Sequence, residues 1–302
     1  MSGSPSGVTI EALGPVRNFE RENGWRAVLR DLWQETTGKI GIVLVVTWVV
    51  IAVLAPLISP YSPLNMHSQD QFMPPSSSYL LGADEFGRDI LSRTLWGSRI
   101  SIAVGLLAVL IASGIGVPAG LLAGFVGGKV DSVVMRICDG LMSLPAIFTG
   151  IAVVAVTGPG SINVLLAVAV INVPIICRLV RACTLSEREK EYVEAAIVLG
   201  AGRTRIMARD ILPNTLLPVL MQFSVAVPQA VILEAGLTFL GLGSQPPDPS
   251  WGMMLKDGRT YLMQAPWYAL VPGFALTSLV VGLNLLSDCL GKVLDPYRRG
   301  LR

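Results

Sequence analysis

Long apolar runs alternate with short polar stretches along this chain. Six runs reach the roughly 20 apolar residues a helix needs to cross a bilayer. They are Ile40–Ile58, Ile100–Leu122, Val133–Val156, Ile162–Val180, Leu216–Leu240 and Trp267–Leu290. The pattern predicts an all-α membrane protein of about six transmembrane helices. Two other stretches have helical periodicity on one face only. Trp25, Val28, Leu29, Leu32 and Trp33 recur at i, i+3, i+4, i+7 and i+8, opposite Arg26 and Arg30. Phe86, Ile90, Leu91 and Leu95 form a second stripe, between Asp84 and Arg99. Each reads as an amphipathic helix, lying on the membrane surface or packed against the bundle. The Pro- and Ser-rich residues 60–78 and the run Gln245–Ser250 read as extended or turn-like loops.

Composition agrees with this reading. Only 15% of the 302 residues are charged and 52% are hydrophobic, with mean hydropathy +0.61; a soluble domain carries about 25% charge. A net charge of +2 gives no basis for binding nucleic acid. The four cysteines are scattered without a C-x-x-C pair and read as small packing residues. The lone His67 lies in a polar stretch, so no metal site is expected. Residues 1–38 contain no apolar stretch of the kind a cleavable leader uses.

Charge then orients the chain. With the N-terminus inside, eighteen of the 23 Lys and Arg residues fall on the cytoplasmic side and five (Arg88, Arg93, Arg99, Lys256, Arg259) outside. The bias of basic residues toward the cytoplasm predicts both termini inside. The expected layout is a cytoplasmic tail with a surface helix (1–38), a first span (39–59) and an external loop with an amphipathic helix (60–99). A five-helix core (100–291), with a long cytoplasmic connection at 184–214, and a cytoplasmic tail (292–302) complete it.

Within the spans, Gly116, Gly120, Gly124 and Gly128 recur at four-residue steps. That spacing aligns them on one helix face and predicts a close helix–helix seam, within this chain or between subunits. Polar residues in the spans are few: Asp139, Asn172, Gln222, Gln229, Glu234, Asn284 and Asp288. They make no continuous proton relay, and structural hydrogen bonding is the role expected of them. Prolines 145, 174, 228 and 272 predict broken or kinked spans.

The connection between the fourth and fifth runs is the most informative segment. Arg188 to Asn214 reads as a helix, a break at Gly200 and Gly202, and a second short helix stopped before Pro213. Such a pair makes either a rigid knob for a soluble partner or a plain amphipathic connector.

Here the chain resembles the permeases of binding-protein-dependent ABC importers. Glu194-Ala195-Ala196 through Gly200 to Ile211-Leu212-Pro213 is similar to their EAA signature. Leu81-Gly-Ala-Asp-Glu-Phe-Gly-Arg-Asp89 resembles a segment of the dipeptide/oligopeptide/nickel subfamily, and Glu234–Gly243, Gln245-Pro246-Pro247, Pro249–Gly252 and Leu294-Asp295-Pro296 follow its C-type subunit in order. The resemblance covers residues 39–297. It implies a type I importer permease fold with cytoplasmic coupling helices, in a bacterial plasma (inner) membrane. It also implies that Glu194, Ala195, Ala196 and Gly200 dock on an ATPase, with Leu212 and Pro213 closing the motif. The implied partners are a homologous second permease, two ATP-hydrolysing subunits using ATP and Mg, and an extracytoplasmic substrate-binding protein. No cofactor is expected in this chain: Gly128-Lys129 comes nearest a P-loop, but Ala123 stands at its first glycine and Val130 follows the lysine. A secondary transporter would need an embedded ion site and commonly inverted repeats. A membrane enzyme would need a catalytic constellation. Neither pattern is present in the sequence.

Overall fold

The computed structural model describes residues 30–294, and almost every apolar run in them is a helix. In chain order these are α1 (Thr36–Ile58), α2 (Ile90–Val126), α3 (Gly128–Met142), α4 (Ala146–Thr157), α5 (Ser161–Arg188), α6 (Glu191–Val198), α7 (Arg203–Phe239), α8 (Trp251–Thr260) and α9 (Pro266–Leu294). No strand occurs among the described residues. The surface-helix stripe at Trp25, Val28 and Leu29 lies outside them. Residues 30–34 are helical, and Leu32 is buried against Cys289 and Val293 of α9.

Two helices fix the topology. Gly116, Gly120 and Gly124 of α2 meet Val173, Cys177 and Thr184 of α5 in rising register, so α2 and α5 run parallel. Arg188 Nη1 donates to Phe125 O (3.2 Å), which sets the C-terminal ends of both helices at one level. The segment between them must return the chain across the membrane. It does so as α3 and α4, bent through 94°. The expected third span is therefore not one continuous helix. Pro145 lacks the N–H that would continue the ladder, and it disfavours helical geometry at the residue before it. The other expected proline sites, 174, 228 and 272, sit inside unbroken helices.

Two further boundaries differ from expectation. The amphipathic stripe after Asp84 is no separate helix: Asp89 caps α2 by accepting Ser92 N–H at 2.8 Å, and Ile90 and Leu95 are buried in its first turns. Phe86 lies in the turn before it. At the other end, Gly128 leaves the glycine seam. The ladder stops at Val126, Gly127 and Gly128 take φ of +69° and +57°, and a Cβ at Gly128 would meet nothing within 4 Å. It is a turn residue.

The first span packs on the last. A Cβ at Gly41 would lie 2.8 Å from Leu286 N, one at Gly282 would lie 2.7 Å from Leu44 Cβ, and Trp48 Nε1 donates to Ser278 Oγ at 2.8 Å. The opposite side of α1 displays Val43, Val46, Val50, Val53 and Leu57, a wholly apolar strip suited to lipid. Ser224 and Ser287 hydroxyls meet at 3.1 Å and join α7 to α9.

Candidate functional site: the cytoplasmic knob and its outer counterpart

The knob begins where α5 ends. Glu191 and Glu194 occupy the first turn of α6, where acidic side chains complement the unpaired N–H groups. Its apolar side faces inward: Val193 is fully buried with Ile206 and Ile211, and Ala196, Ala201 and Leu212 pack on the same core. Its C-terminus closes in a Schellman turn. Gly200 takes φ +78°, its N–H donates to Ile197 O (2.9 Å), and Ala201 N–H donates to Ala196 O (3.0 Å). A polar strut braces the assembly. Tyr192 Oη donates to Glu187 Oε2 (2.5 Å) and accepts from Asn214 Nδ2 (2.9 Å), joining the end of α5, the knob and α7.

The expected stop before Pro213 is absent. The ladder widens to a π-helical register over Ile206–Ile211, with Leu212 N–H reaching Met207 O, and Pro213 enters in the first turn of the α-helical ladder that resumes. A missing N–H costs least there. One helix thus runs from Arg203 at the knob to Phe239.

Each residue singled out in this segment has a definite place. Glu194 and Ala195 are exposed, and the Glu194 carboxylate engages no ion pair among the described residues. Ala196 and Leu212 are half-buried, packed on the core; Gly200 and Pro213 are exposed. Sequence reasoning missed the tip. Ile197, Val198 and Leu199 are 51%, 81% and 86% exposed, three aliphatic side chains in a row at the end of a cytoplasmic helix. Their signal was an apolar triplet directly before Gly200 in an otherwise charged connection. A cleft of about 650 Å³ opens beside them, lined by Phe125, Arg188, Glu194, Ile197 and Arg203.

At the outer end, the segment Leu81–Asp89 builds a buried ionic knot. Asp84 is fully buried. It accepts from the backbone N–H of Phe86 and of Arg88 (both 2.9 Å) and from Arg88 Nε (2.6 Å), and it lies 3.4 Å from Arg93 Nε. Arg93 also donates to Pro63 O (3.1 Å), tying the loop to the head of α2. Trp251 Nε1 adds a bond to Thr94 O (2.9 Å) from α8. The Glu85 and Asp257 carboxyls are held above the usual carboxylate range, in both cases mainly by burial.

Comparison with known proteins decides the family. Residues 116–300 match the model described as binding-protein-dependent transport system inner membrane component. The chain belongs to that family of permeases. Residues 24–75 match the N-terminal TM domain of oligopeptide transport permease C. The permease is 38% identical over 282 residues to a dipeptide transport system permease protein, DppC, of Alkalihalophilus pseudofirmus, covering 93% of each chain. It is 39% identical over 288 residues to a glutathione transport system permease protein, GsiD, of Pectobacterium atrosepticum, covering 95% and 96%. Among solved structures it is similar to a chain of the MetNI methionine ABC transporter in inward-facing conformations. That match has TM-score 0.54 and 20% identity and covers 70% of this chain and 96% of that one, a likeness of fold. The permease is a multi-pass inner-membrane subunit of an ABC importer.

Proposed function

We propose that this permease forms one half of the translocation pathway of an ATP-driven importer for peptides or a similarly small solute. The knob at α6 is the element on which ATP-hydrolysing partner subunits act. The observation that carries this is the tip: Ile197, Val198 and Leu199 are exposed to the cytoplasm on a helix that is otherwise anchored. An aliphatic triplet in water is costly, and burial in a groove of a partner recovers that cost. Glu194 and Ala195 border the contact, and Gly200 shapes the turn that presents it. ATP and Mg would be used by two such partners and not by this chain. A homologous second permease would supply the other half of the pathway, and an extracytoplasmic binding protein would deliver solute to the outer loops. The peptide assignment rests on the similarity to the dipeptide and glutathione transport permeases.

Val198→Asp with Leu199→Asp tests the reading, because both side chains touch little of the permease itself. The expected result is normal membrane abundance, loss of ATPase subunits from gentle affinity purification, and loss of uptake. Full co-purification with undiminished uptake would refute the assignment of the knob.

A further inference from the structure

The helix that leaves the knob carries an unusual outward face. At 100° per residue, Gln222, Val225, Gln229, Ile232 and Gly236 of α7 fall within one 80° sector. Gln229, Val225 and Ile232 are exposed, Gln222 is half-exposed, and a Cβ at Gly236 would meet nothing within 4 Å. Neither glutamine side chain makes a hydrogen bond among the described residues, although Asn163, Asn172 and Asn214 all do. Both glutamines lie inside an apolar run long enough to span the bilayer. An amide left unbonded in hydrocarbon is strongly disfavoured, because nothing there replaces the water it gave up. The fully apolar strip on α1 shows what a face turned to lipid looks like in this protein.

The neighbouring span repeats the pattern. On α9, Thr277, Val281, Asn284 and Asp288 form one exposed stripe, and Asn284 also lacks a side-chain hydrogen bond among the described residues. Ser224 and Ser287 fix how the two helices meet. The α7 sector lies about 120° around from Ser224, and the α9 stripe about 90° around from Ser287, at 100° per residue. The helices run antiparallel, so both offsets turn toward the same side of the pair.

We infer that this shared face of α7 and α9, marked by Gln222, Gln229 and Asn284, lines the aqueous pathway. It would meet the solute with uncharged hydrogen-bonding groups near mid-membrane. The inference rests on the importer reading above and adds where the solute passes. It also assigns the long helix a role. Its 37 residues extend about 55 Å at 1.5 Å per residue, against roughly 30 Å of hydrocarbon. The amide-bearing face is therefore a continuous part of the rod that begins at the knob, and displacement of α6 moves it directly.

The test uses the assembled transporter with Cys183→Ser; the other three cysteines are buried. Single variants Gln222→Cys, Gln229→Cys and Asn284→Cys are exposed to a charged, membrane-impermeant methanethiosulfonate, at rest and during ATP hydrolysis. They are compared with Val50→Cys and Val53→Cys on α1. Labelling of the three polar positions at least tenfold faster than the α1 positions, in either state, is the expected result. Labelling no faster than at Val53→Cys in both states overturns the inference, and points to lipid or to a dry subunit contact. The Val198→Asp/Leu199→Asp experiment reads partner association, so it can fail while labelling holds, and the reverse.

Discussion

The α2–α5 seam makes a quantitative test of the packing argument. A Cβ at Gly120 would sit 2.5 Å from Cys177 O, 2.8 Å from Val180 Cβ and 3.0 Å from Arg181 N. Two of these atoms are backbone and cannot swing aside. Ordinary contact begins near 3.4 Å, so Gly120→Ala must part the helices by about 0.9 Å. A gap of 0.5–1 Å forfeits roughly a quarter to a half of each facing contact. No hydrophobic gain offsets that loss in a bilayer, where lipid tails are as apolar as the side chains. Overpacking of this kind costs about 1–3 kcal/mol. Alanine regains about 0.5–1 kcal/mol over glycine within a helix. Gly114 on the same helix is the control: a Cβ there meets nothing within 4 Å, so Gly114→Ala keeps the gain without the penalty. The two variants should differ by about 2 kcal/mol, taking the middle of those ranges. Dodecyl sulfate titration of the purified protein in mild detergent, followed by circular dichroism, reads the difference. A second readout is the reactivity of Cys177, which is buried in the seam and should rise in Gly120→Ala only. Coincident unfolding midpoints for the two variants would refute the seam as a close-packed contact.

Other outcomes follow from the outer knot and the knob. Asp84→Asn leaves Arg88 and Arg93 buried without their shared carboxylate and should destabilise by about 3–5 kcal/mol in the same titration. Asp257→Asn should show no loss at pH 7, because burial already disfavours its charge. A raised carboxyl pKa means its favourable contribution is present at low pH and fades as pH rises through the folded value. Stability referenced to Asp257→Asn should accordingly improve from pH 7 toward pH 4, and an unchanged difference would remove burial as the cause. Gly200→Ala places a side chain at φ +78° and should cost about 1 kcal/mol of local stability, seen as faster proteolysis within 191–202. Tyr192→Phe removes the strut between Glu187 and Asn214, a loss of about 1 kcal/mol, and should lower uptake per ATP hydrolysed more than it lowers ATPase activity itself.

Apolar run length specified the number of spans, because a backbone in hydrocarbon has no partner but itself and must close its hydrogen bonds within a helix. The bias of Lys and Arg oriented them, and the glycine spacing at 116, 120 and 124 located the tight face of α2. These are local properties, legible residue by residue. What the sequence left open depends on atoms distant in the chain. It did not say which helix fills the glycine groove; that required the α5 carbonyls to be in place. It extended the seam to Gly128, where the chain in fact turns. It read Pro213 as a stop, but a π-helical register and the packing of Ile206 and Ile211 carry the helix through. It picked Glu194, Ala195 and Ala196 by resemblance, whereas exposure of Val198 and Leu199 emerges only once Val193 is known to be the buried side. Gln222 and Gln229 were visible as polar residues in an apolar run, and only the tertiary structure decided that they share an unpartnered face. Burial is set by what packs against a residue, and periodicity gives the faces of a helix without saying which of them is covered.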